Sequence, residues 1–311
     1  MTPPHFALMV LICAVWGFNF VAAKAALEAF PPLLAVGLRF LLLGLLLAPV
    51  LRPFAGRMRD VLALSVFAGS LHFGLMFAAL SRADASVMAI VTQLNVPMAT
   101  VLSIVFLSET VGWRRWLGIG LSFVGVAIIA ADGSLNATAH GVGLGVLASL
   151  SYAGGMIFIR RLRGVPALSL QAWVGLMSWP PLLLASLLFE TGQGAAIATA
   201  PLPAWAGLLF TVLGASLVGH VGMTWLLQRY EVSLTAPLTL MAPLFGVVFG
   251  IWLLDDPVSW RFVLGGLVTL SGVAVIALRH RRPDTPAAIL PEPGIAAVPP
   301  HARPRPAPPP R

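Results

Sequence analysis

The chain has 311 residues, of which 59% are hydrophobic and only 10% are charged, and its formal net charge is +8. Soluble domains carry roughly 25% charged residues, so this composition excludes a soluble globular protein and places the chain in a lipid bilayer. The arginines lie between apolar runs and form no basic face, which argues against nucleic acid as a partner.

The apolar runs are about as long as the roughly 20 residues that a helix needs to cross the hydrocarbon core. Unpaired backbone groups are costly in lipid, and the length and continuity of these runs favour helices over barrel strands. The sequence therefore predicts an all-α membrane protein with ten transmembrane helices. Their approximate positions are 6–25, 32–51, 61–80, 86–107, 114–131, 141–160, 170–189, 204–227, 233–254 and 260–279.

The first run is predicted to be a retained helix and not a cleaved signal. Its start, "MTPPHFALM", lacks the basic residues of a signal peptide, and Lys24 and Glu28 follow without a clear cleavage site. The one cysteine of the chain, Cys13, lies in this run, so no intrachain disulfide is possible.

Basic residues are distributed unequally between alternate loops. If both termini are cytoplasmic, the outer segments hold only three, namely Lys24, Arg82 and Arg261. The inner segments and the tail then hold fifteen: Arg52, Arg57, Arg59, Arg114, Arg115, Arg160, Arg161, Arg163, Arg229, Arg279, Arg281, Arg282, Arg303, Arg305 and Arg311. This positive-inside bias predicts cytoplasmic termini, and it supports ten helices because one helix more or fewer would scramble the alternation. The proline-rich residues 283–311 are predicted to form a disordered cytoplasmic tail.

The two halves of the sequence repeat one another. When residues 83–130 are placed over 230–277, an offset of 147, sixteen of 48 positions are identical, and they include Trp113 over Trp260. The first helices correspond more weakly, as "VWGFNFVAAK" over "SYAGGMIFIR". We therefore predict one five-helix repeat in 1–131 and a second in 141–279. Because five is odd, the second repeat is threaded oppositely, an inverted arrangement that is common in secondary transporters.

These features resemble the EamA family of the drug/metabolite transporter superfamily. The resemblance rests on "WGFNFVAAK" in the first helix, "PPLLAVGLRF" in the second and the "E-T…W…G…GV" ending of each half, and it spans about residues 6–279. Within the family, the chain is most similar to bacterial exporters of cysteine and O-acetylserine and of aromatic amino acids. The resemblance implies an inner-membrane exporter of amino acids or related small metabolites, without naming one. The same superfamily architecture also permits two alternatives for this chain, a lipid or lipid-linked sugar flippase and an exporter of other drugs or metabolites.

Helix-breaking residues at matching positions of two repeats are typical of transporter binding sites. Pro97 lies in the fourth run, and Pro237 and Pro243 lie in the ninth. Each proline removes a backbone hydrogen bond and frees a carbonyl group, which can face a solute or form only a packing kink. We favour the binding site.

Polar side chains within the runs are the other candidates, because each is costly in lipid. We expect them to line a polar cavity for a zwitterionic amino acid, although each could instead bond a neighbouring helix. Two tryptophans would form its apolar or stacking walls. The candidate residues are Asn19, His72, Gln93, Asn95, Tyr152 and His220, with Trp16 and Trp225 as the walls.

Arg39 is the one cation well inside a run, about 10 Å deep at 1.5 Å per residue. A structural role, in which it reaches the surface or bonds a carbonyl group, is favoured over guidance of a carboxylate. An acidic residue and an arginine lie at the membrane edge in each half, Glu109 with Arg114 and Asp256 with Arg261. Each pair could act as a gate or could anchor a loop.

All eleven acidic residues fall in loops, at helix ends or in the tail. Antiporters commonly use an intramembrane carboxylate, so we expect either uncoupled transport or proton coupling through His72 or His220, whose ordinary pKa is near 6.5. The sequence has no H-E-x-x-H zinc signature and no G-x-S-x-G elbow. We therefore expect that the protein is not an enzyme and binds no cofactor or metal. We also expect it to be a monomer.

Overall fold

The apolar runs of the sequence are helical in the computed structural model of the chain. It describes residues 1–107, 111–133, 139–162, 164–227, 229–230 and 232–278, and no strand occurs within these ranges. The predicted tail, 283–311, lies outside the described residues.

The helices follow one another with short connections. A 3-10 turn, Ala48–Val50, extends the second helix, and a short helix, Gln193–Thr199, lies between the seventh and the eighth. In chain order they are α1 (Pro3–Leu27), α2 (Pro32–Leu47), α3 (Met58–Leu64, Ser65–Leu71 and His72–Leu80), α4 (Ala85–Val91, Thr92–Leu94 and Asn95–Leu107), α5 (Trp113–Ala130), α6 (Ala139–Arg161), α7 (Ala167–Phe189), α8 (Leu202–Phe210, Thr211–Val221 and Gly222–Leu227), α9 (Val232–Leu238 and Met241–Leu254) and α10 (Trp260–Ala277).

Nine helices in the described part are long and apolar enough to cross a membrane. The ninth predicted run differs, because α9 is divided and its longer piece, Met241–Leu254, is a shorter apolar helix. The protein is therefore an all-helical, multi-pass membrane protein.

α4 and α9 are both interrupted, and they are interrupted at the same place in the repeat. The 3-10 turn Thr92–Leu94 divides α4, and a turn at residues 239–240 divides α9. Shifted by 147 residues, Ala85–Val91 coincides with Val232–Leu238. The same shift places α5 on α10 from the first residue to the last. The aligned sequences thus form helices with equal bounds.

Packing between the helices has a regular pattern. α1 packs against α8 and α9, whereas α6 packs against α3 and α4. α2 packs against α7, α4 against α9, and α5 against α10. Moving each helix five places along the chain exchanges the pairs of α1 with those of α6 and returns each of the other three pairs to itself.

The crossing of α5 and α10 depends on glycine. A Cβ atom on Gly118 would lie 2.7 Å from the Gly272 carbonyl oxygen, and one on Gly125 would lie 2.5 Å from that of Gly265. The early glycine of each helix meets the late glycine of the other, so the two helices run antiparallel. Small residues allow this close backbone approach, as is usual between helices in membranes.

Candidate functional site

Two π-helical segments lie at similar places in α3 and α8. They span Ser65–Leu71 and Thr211–Val221. In each, a serine five residues after the first residue donates a hydrogen bond to that residue's carbonyl oxygen, Ser70 at 3.4 Å and Ser216 at 3.3 Å. Such π segments are rare and frequently lie at functional sites.

The first π segment leads directly into His72. The His72 Nδ1 atom lies 2.8 Å from the Ala148 carbonyl oxygen of α6. A carbonyl oxygen can only accept, so Nδ1 carries the proton of this bond. The imidazole ring lies 4.9 Å from the ring of Tyr152 and 4.6 Å from that of Phe73. The structure therefore brings two of the predicted site residues, His72 and Tyr152, together.

The second π segment carries His220. Its ring lies 5.5 Å from the ring of Trp16 in α1. The Trp16 Nε1 group donates to the Ala215 carbonyl oxygen at 3.3 Å. Gly219 makes room for the indole, because a Cβ atom there would overlap it. The predicted residues Trp16 and His220 thus form a second pair.

Arg39 of α2 lies between the two pairs. Its side chain is 2% exposed, so it does not reach the surface. The Nη2 group donates to Ser216 Oγ at 3.3 Å, and the guanidinium carbon lies 4.2 Å from the centre of the Phe73 ring. We call Trp16, Arg39, His72, Tyr152 and His220 the central cluster.

Other predicted residues lie apart from these contacts. Trp225 lies near the end of α8, where its ring is 4.9 Å from that of His5 and 3.7 Å from the Arg229 guanidinium. Asn19 lies one turn after Trp16, and its buried Oδ1 atom has no hydrogen-bond partner within the described ranges.

The helix-breaking residues lie around the interruptions of α4 and α9. Gln93 is in the turn that divides α4, Asn95 begins the next piece, and both are half-buried. Pro97 follows in the first turn of that piece. Pro237 lies just before the break in α9 and Pro243 just after it. Within the described ranges, no hydrogen bond or ring contact joins these five residues to the central cluster.

The charged residues at the membrane edge act as anchors. The Asp256 carboxylate accepts a hydrogen bond from the Ser86 backbone N–H at 2.8 Å, at the start of α4. Arg261 donates to the Ala131 carbonyl oxygen at 3.3 Å and does not pair with Asp256. Glu109, the acid of the other predicted pair, lies outside the described residues.

A groove of about 770 Å³ lies between α3, α4 and α6. Its walls are almost entirely apolar and include Phe67, Leu71 and Phe106. Arg161 lies at its edge, 3.6 Å from the Asp60 carboxylate. The exposed apolar side chains of this groove suit contact with lipid tails.

Sequence reasoning favoured a structural role for Arg39 and did not single out its contacts Phe73 and Ser216. A comparison of the two halves could have drawn attention to Arg39. Residues 36–38 and 174–176 both read Val-Gly-Leu, and they are followed by Arg39 in one half and by Met177 in the other. A charged residue that is present in only one of two aligned helices indicates a role that the other helix does not share.

Known proteins support the assignment of the fold. The chain is 31% identical to a probable amino-acid metabolite efflux pump of Salmonella typhimurium, over 88% of this chain and 96% of the relative. A protein of the same description in Escherichia coli is 29% identical with the same coverage. A solved crystal structure covers 88% of the chain with a TM-score of 0.57 and 18% identity.

The profile of the EamA-like transporter family matches the chain twice, at residues 5–131 and 139–278. The two matches cover nearly all of the described helices. The chain therefore belongs to the EamA-like transporter family.

Proposed function

We propose that the protein is a secondary transporter that exports amino acids or related small metabolites across the inner membrane by alternating access. The observation that carries this proposal is the central cluster, which brings side chains from α1, α2, α3, α6 and α8 together. Arg39 and His72 are buried in it, and the other three members are half-buried. Polar groups buried at this depth are costly, and they are usually retained for a solute. The Salmonella and Escherichia coli relatives, named as probable amino-acid metabolite efflux pumps, suggest the class of solute.

The transporter consists of ten spans in two inverted five-helix repeats, 1–131 and 141–279. Three observations support this arrangement. The family profile matches each half separately, the helix bounds coincide after a shift of 147 residues, and α5 and α10 cross in antiparallel through reciprocal glycine contacts. Such repeats place the solute near the membrane midplane, between the halves.

Alternating access is supported by a difference between equivalent interfaces. α1 packs closely on α9, where a Cβ atom on Gly17 would lie 2.5 Å from Phe245 Cβ. The equivalent interface, between α6 and α4, contains the 770 Å³ groove. With both termini cytoplasmic, this groove lies in the cytoplasmic half, because Arg161 ends α6 on that side. If the α4–α6 interface closed and the α1–α9 interface opened, the protein would close on the cytoplasmic side and open on the outer side.

Measurement of export from cells tests the proposed function. Cells that express the protein and are loaded with radiolabelled amino acids should lose at least one of them faster than cells with an empty vector. Replacing His72 or Gln93 with alanine should reduce this export and leave membrane insertion intact. His140→Ala is the matched control, because His140 is exposed at the start of α6. Unchanged export in both site variants would contradict the assigned site.

Transport is either uncoupled or linked to protons through His72 or His220. Within the described ranges, Asp60, Asp84, Asp132, Glu190 and the other acids lie in loops or at helix ends. Uptake into proteoliposomes should therefore respond little to an imposed pH gradient, or lose its response when both histidines are replaced. A large stimulation that survives the double replacement would contradict this.

The groove favours a second candidate, a lipid or lipid-linked sugar flippase. Its apolar walls and the arginine at its edge fit an acyl chain with an anionic head group. Proteoliposomes with a fluorescent phospholipid test this alternative. Accelerated movement of the lipid between leaflets, without amino-acid transport, would support the flippase over the exporter.

A further inference from the structure

Arg39 has more hydrogen-bond donors than the described structure uses. A guanidinium group has five N–H donors and no acceptor. In Arg39, Nη2 donates to Ser216 Oγ, whereas the Nε and Nη1 atoms are buried without a partner. The Phe73 ring interacts with the positive charge but supplies no oxygen acceptor to these groups. No carboxylate of the described ranges lies within ion-pair distance of Arg39.

The aligned position of the second half carries a methionine in place of the arginine. Met177 follows the second Val-Gly-Leu sequence as Arg39 follows the first. The Met177 sulfur accepts a bond from Ser65 Oγ at 3.8 Å, at the π segment of α3, and Arg39 bonds Ser216 in the π segment of α8. Each of the two residues thus bonds a serine of a π segment, although Ser65 begins its segment and Ser216 lies five residues into the other. The positive charge is the property that only the first repeat has.

We propose that Arg39 binds the free carboxylate of the transported solute. This inference rests on the proposed function and narrows its substrate class to small molecules with a carboxylate group. An ionised carboxylate can accept two parallel hydrogen bonds from one guanidinium, and this pairing is stronger than a neutral hydrogen bond. The unpartnered donors of Arg39 are buried, away from competing water, where the pairing is strongest.

Asn19 complements this assignment. Trp16 and Arg39 bond to consecutive residues of α8, Ala215 and Ser216. Asn19 shares a face of α1 with Trp16, because residues three apart are neighbours on a helix. Its unpartnered Oδ1 atom is an acceptor, which suits the ammonium group of the same solute. The acceptor of Asn19 and the cationic donors of Arg39 together match the ammonium and carboxylate groups of a zwitterionic amino acid.

The test compares amino acids with their amides, which keep the ammonium group and the side chain but lose the negative charge. The probes are L-serine, L-leucine and L-phenylalanine, each with its amide. Purified protein in nanodiscs is titrated with each probe, and the half-effect concentration for thermal stabilisation is measured. The variants are Arg39→Met, Arg39→Lys and the control Arg82→Met, which removes an exposed arginine at the end of α3.

The wild type and Arg82→Met should prefer at least one amino acid over its amide by tenfold or more. Arg39→Met should reduce that preference to less than twofold, and Arg39→Lys, which keeps the charge without the planar fork, should retain part of it. The proposal is overturned if no pair shows a preference in the wild type, or if Arg39→Met keeps it. If Arg39→Met does not fold, an undiminished preference in Arg39→Lys overturns it as well.

Export from loaded cells separates this inference from the proposed function. If the acid is preferred in binding but no amino acid leaves the cells faster, the exporter is contradicted and the role of Arg39 stands. If export is accelerated and Arg39→Met keeps the full preference for acids over amides, the exporter stands and the role of Arg39 is overturned.

Discussion

Two carboxylates, Glu190 and the buried Asp256, accept hydrogen bonds at helix ends. The first N–H groups of a helix have no partner within it and carry a partial positive charge. Glu190 accepts from the backbone N–H groups of Leu33 at 2.7 Å and Leu34 at 3.0 Å, at the start of α2. Asp256 does the same for Ser86 in α4. Since both acids already serve the fold at helix ends, neither is available in mid-span to exchange a proton.

We predict that Asp256→Asn lowers the stability of the protein by about 0.5–2 kcal/mol, in the range of lost helix caps. The substitution replaces a charge-assisted hydrogen bond with a weaker neutral one. Thermal unfolding in nanodiscs measures the effect. Asp255→Asn is the control, because Asp255 is exposed and its φ of 54° is one that asparagine tolerates. Equal unfolding temperatures for the two variants would contradict the capping role.

At this scale the sequence predicts which residues lie in helices, but not which neighbours their side chains face. The run lengths place Trp16 and Trp225 within helices, but hydropathy does not say which face of a helix meets which neighbour. Trp16 therefore lies against His220, whereas Trp225 lies against His5 and Arg229. The surroundings of Arg39 depend on Ser216, a residue distant in the chain, and no local pattern contains that contact.

The close packing of α5 and α10 depends on the glycines at their crossing, which have no side chains. α5 and α10 are in contact through their glycines, with Ser122 Oγ donating to the Thr269 carbonyl oxygen at 3.5 Å at the crossing. Residues 122 and 269 are equivalent under the shift of 147, so the contact lies where a two-fold axis would pass.

We predict that Gly125→Ala destabilises the protein by about 1–3 kcal/mol, the usual cost of overpacking. The added methyl group would lie 2.5 Å from the Gly265 carbonyl oxygen and from the Thr269 backbone nitrogen, so the helices must separate. Gly120→Ala is the control, because a Cβ atom there meets nothing within 4 Å. Unfolding in detergent should show a loss for Gly125→Ala alone, and similar curves for both variants would contradict the close crossing.

Helix interruptions are only partly visible in the sequence. Pro97, Pro237 and Pro243 indicate breaks in α4 and α9, because proline cannot donate a backbone hydrogen bond. The π segments of α3 and α8 carry no such sign. They depend on serine hydroxyl groups that bond carbonyl oxygens of the widened turns, and serines occur in ordinary membrane helices as well.

The all-helical, membrane-spanning class of the molecule is the part that the sequence predicts best. The inverted repeat stays a prediction, which an aligned Trp-Arg pair and matching glycines indicate and with which the bounds of the aligned helices agree. The difference between the α1–α9 and α4–α6 interfaces could not be predicted, because hydropathy does not report how closely two particular helices pack.

The opposite threading of the repeats is the central claim, and cysteine labelling tests it most directly. Ala55 is exposed between α2 and α3, and Ala195 is exposed in the equivalent connection between α7 and α8. Each is replaced by cysteine in a Cys13→Ser background and exposed to a membrane-impermeant maleimide in right-side-out and inside-out vesicles. Five spans separate the two positions, so we predict that Ala55→Cys reacts only in inside-out vesicles and Ala195→Cys only in right-side-out ones. Reaction of both positions from the same side would contradict the inverted repeat.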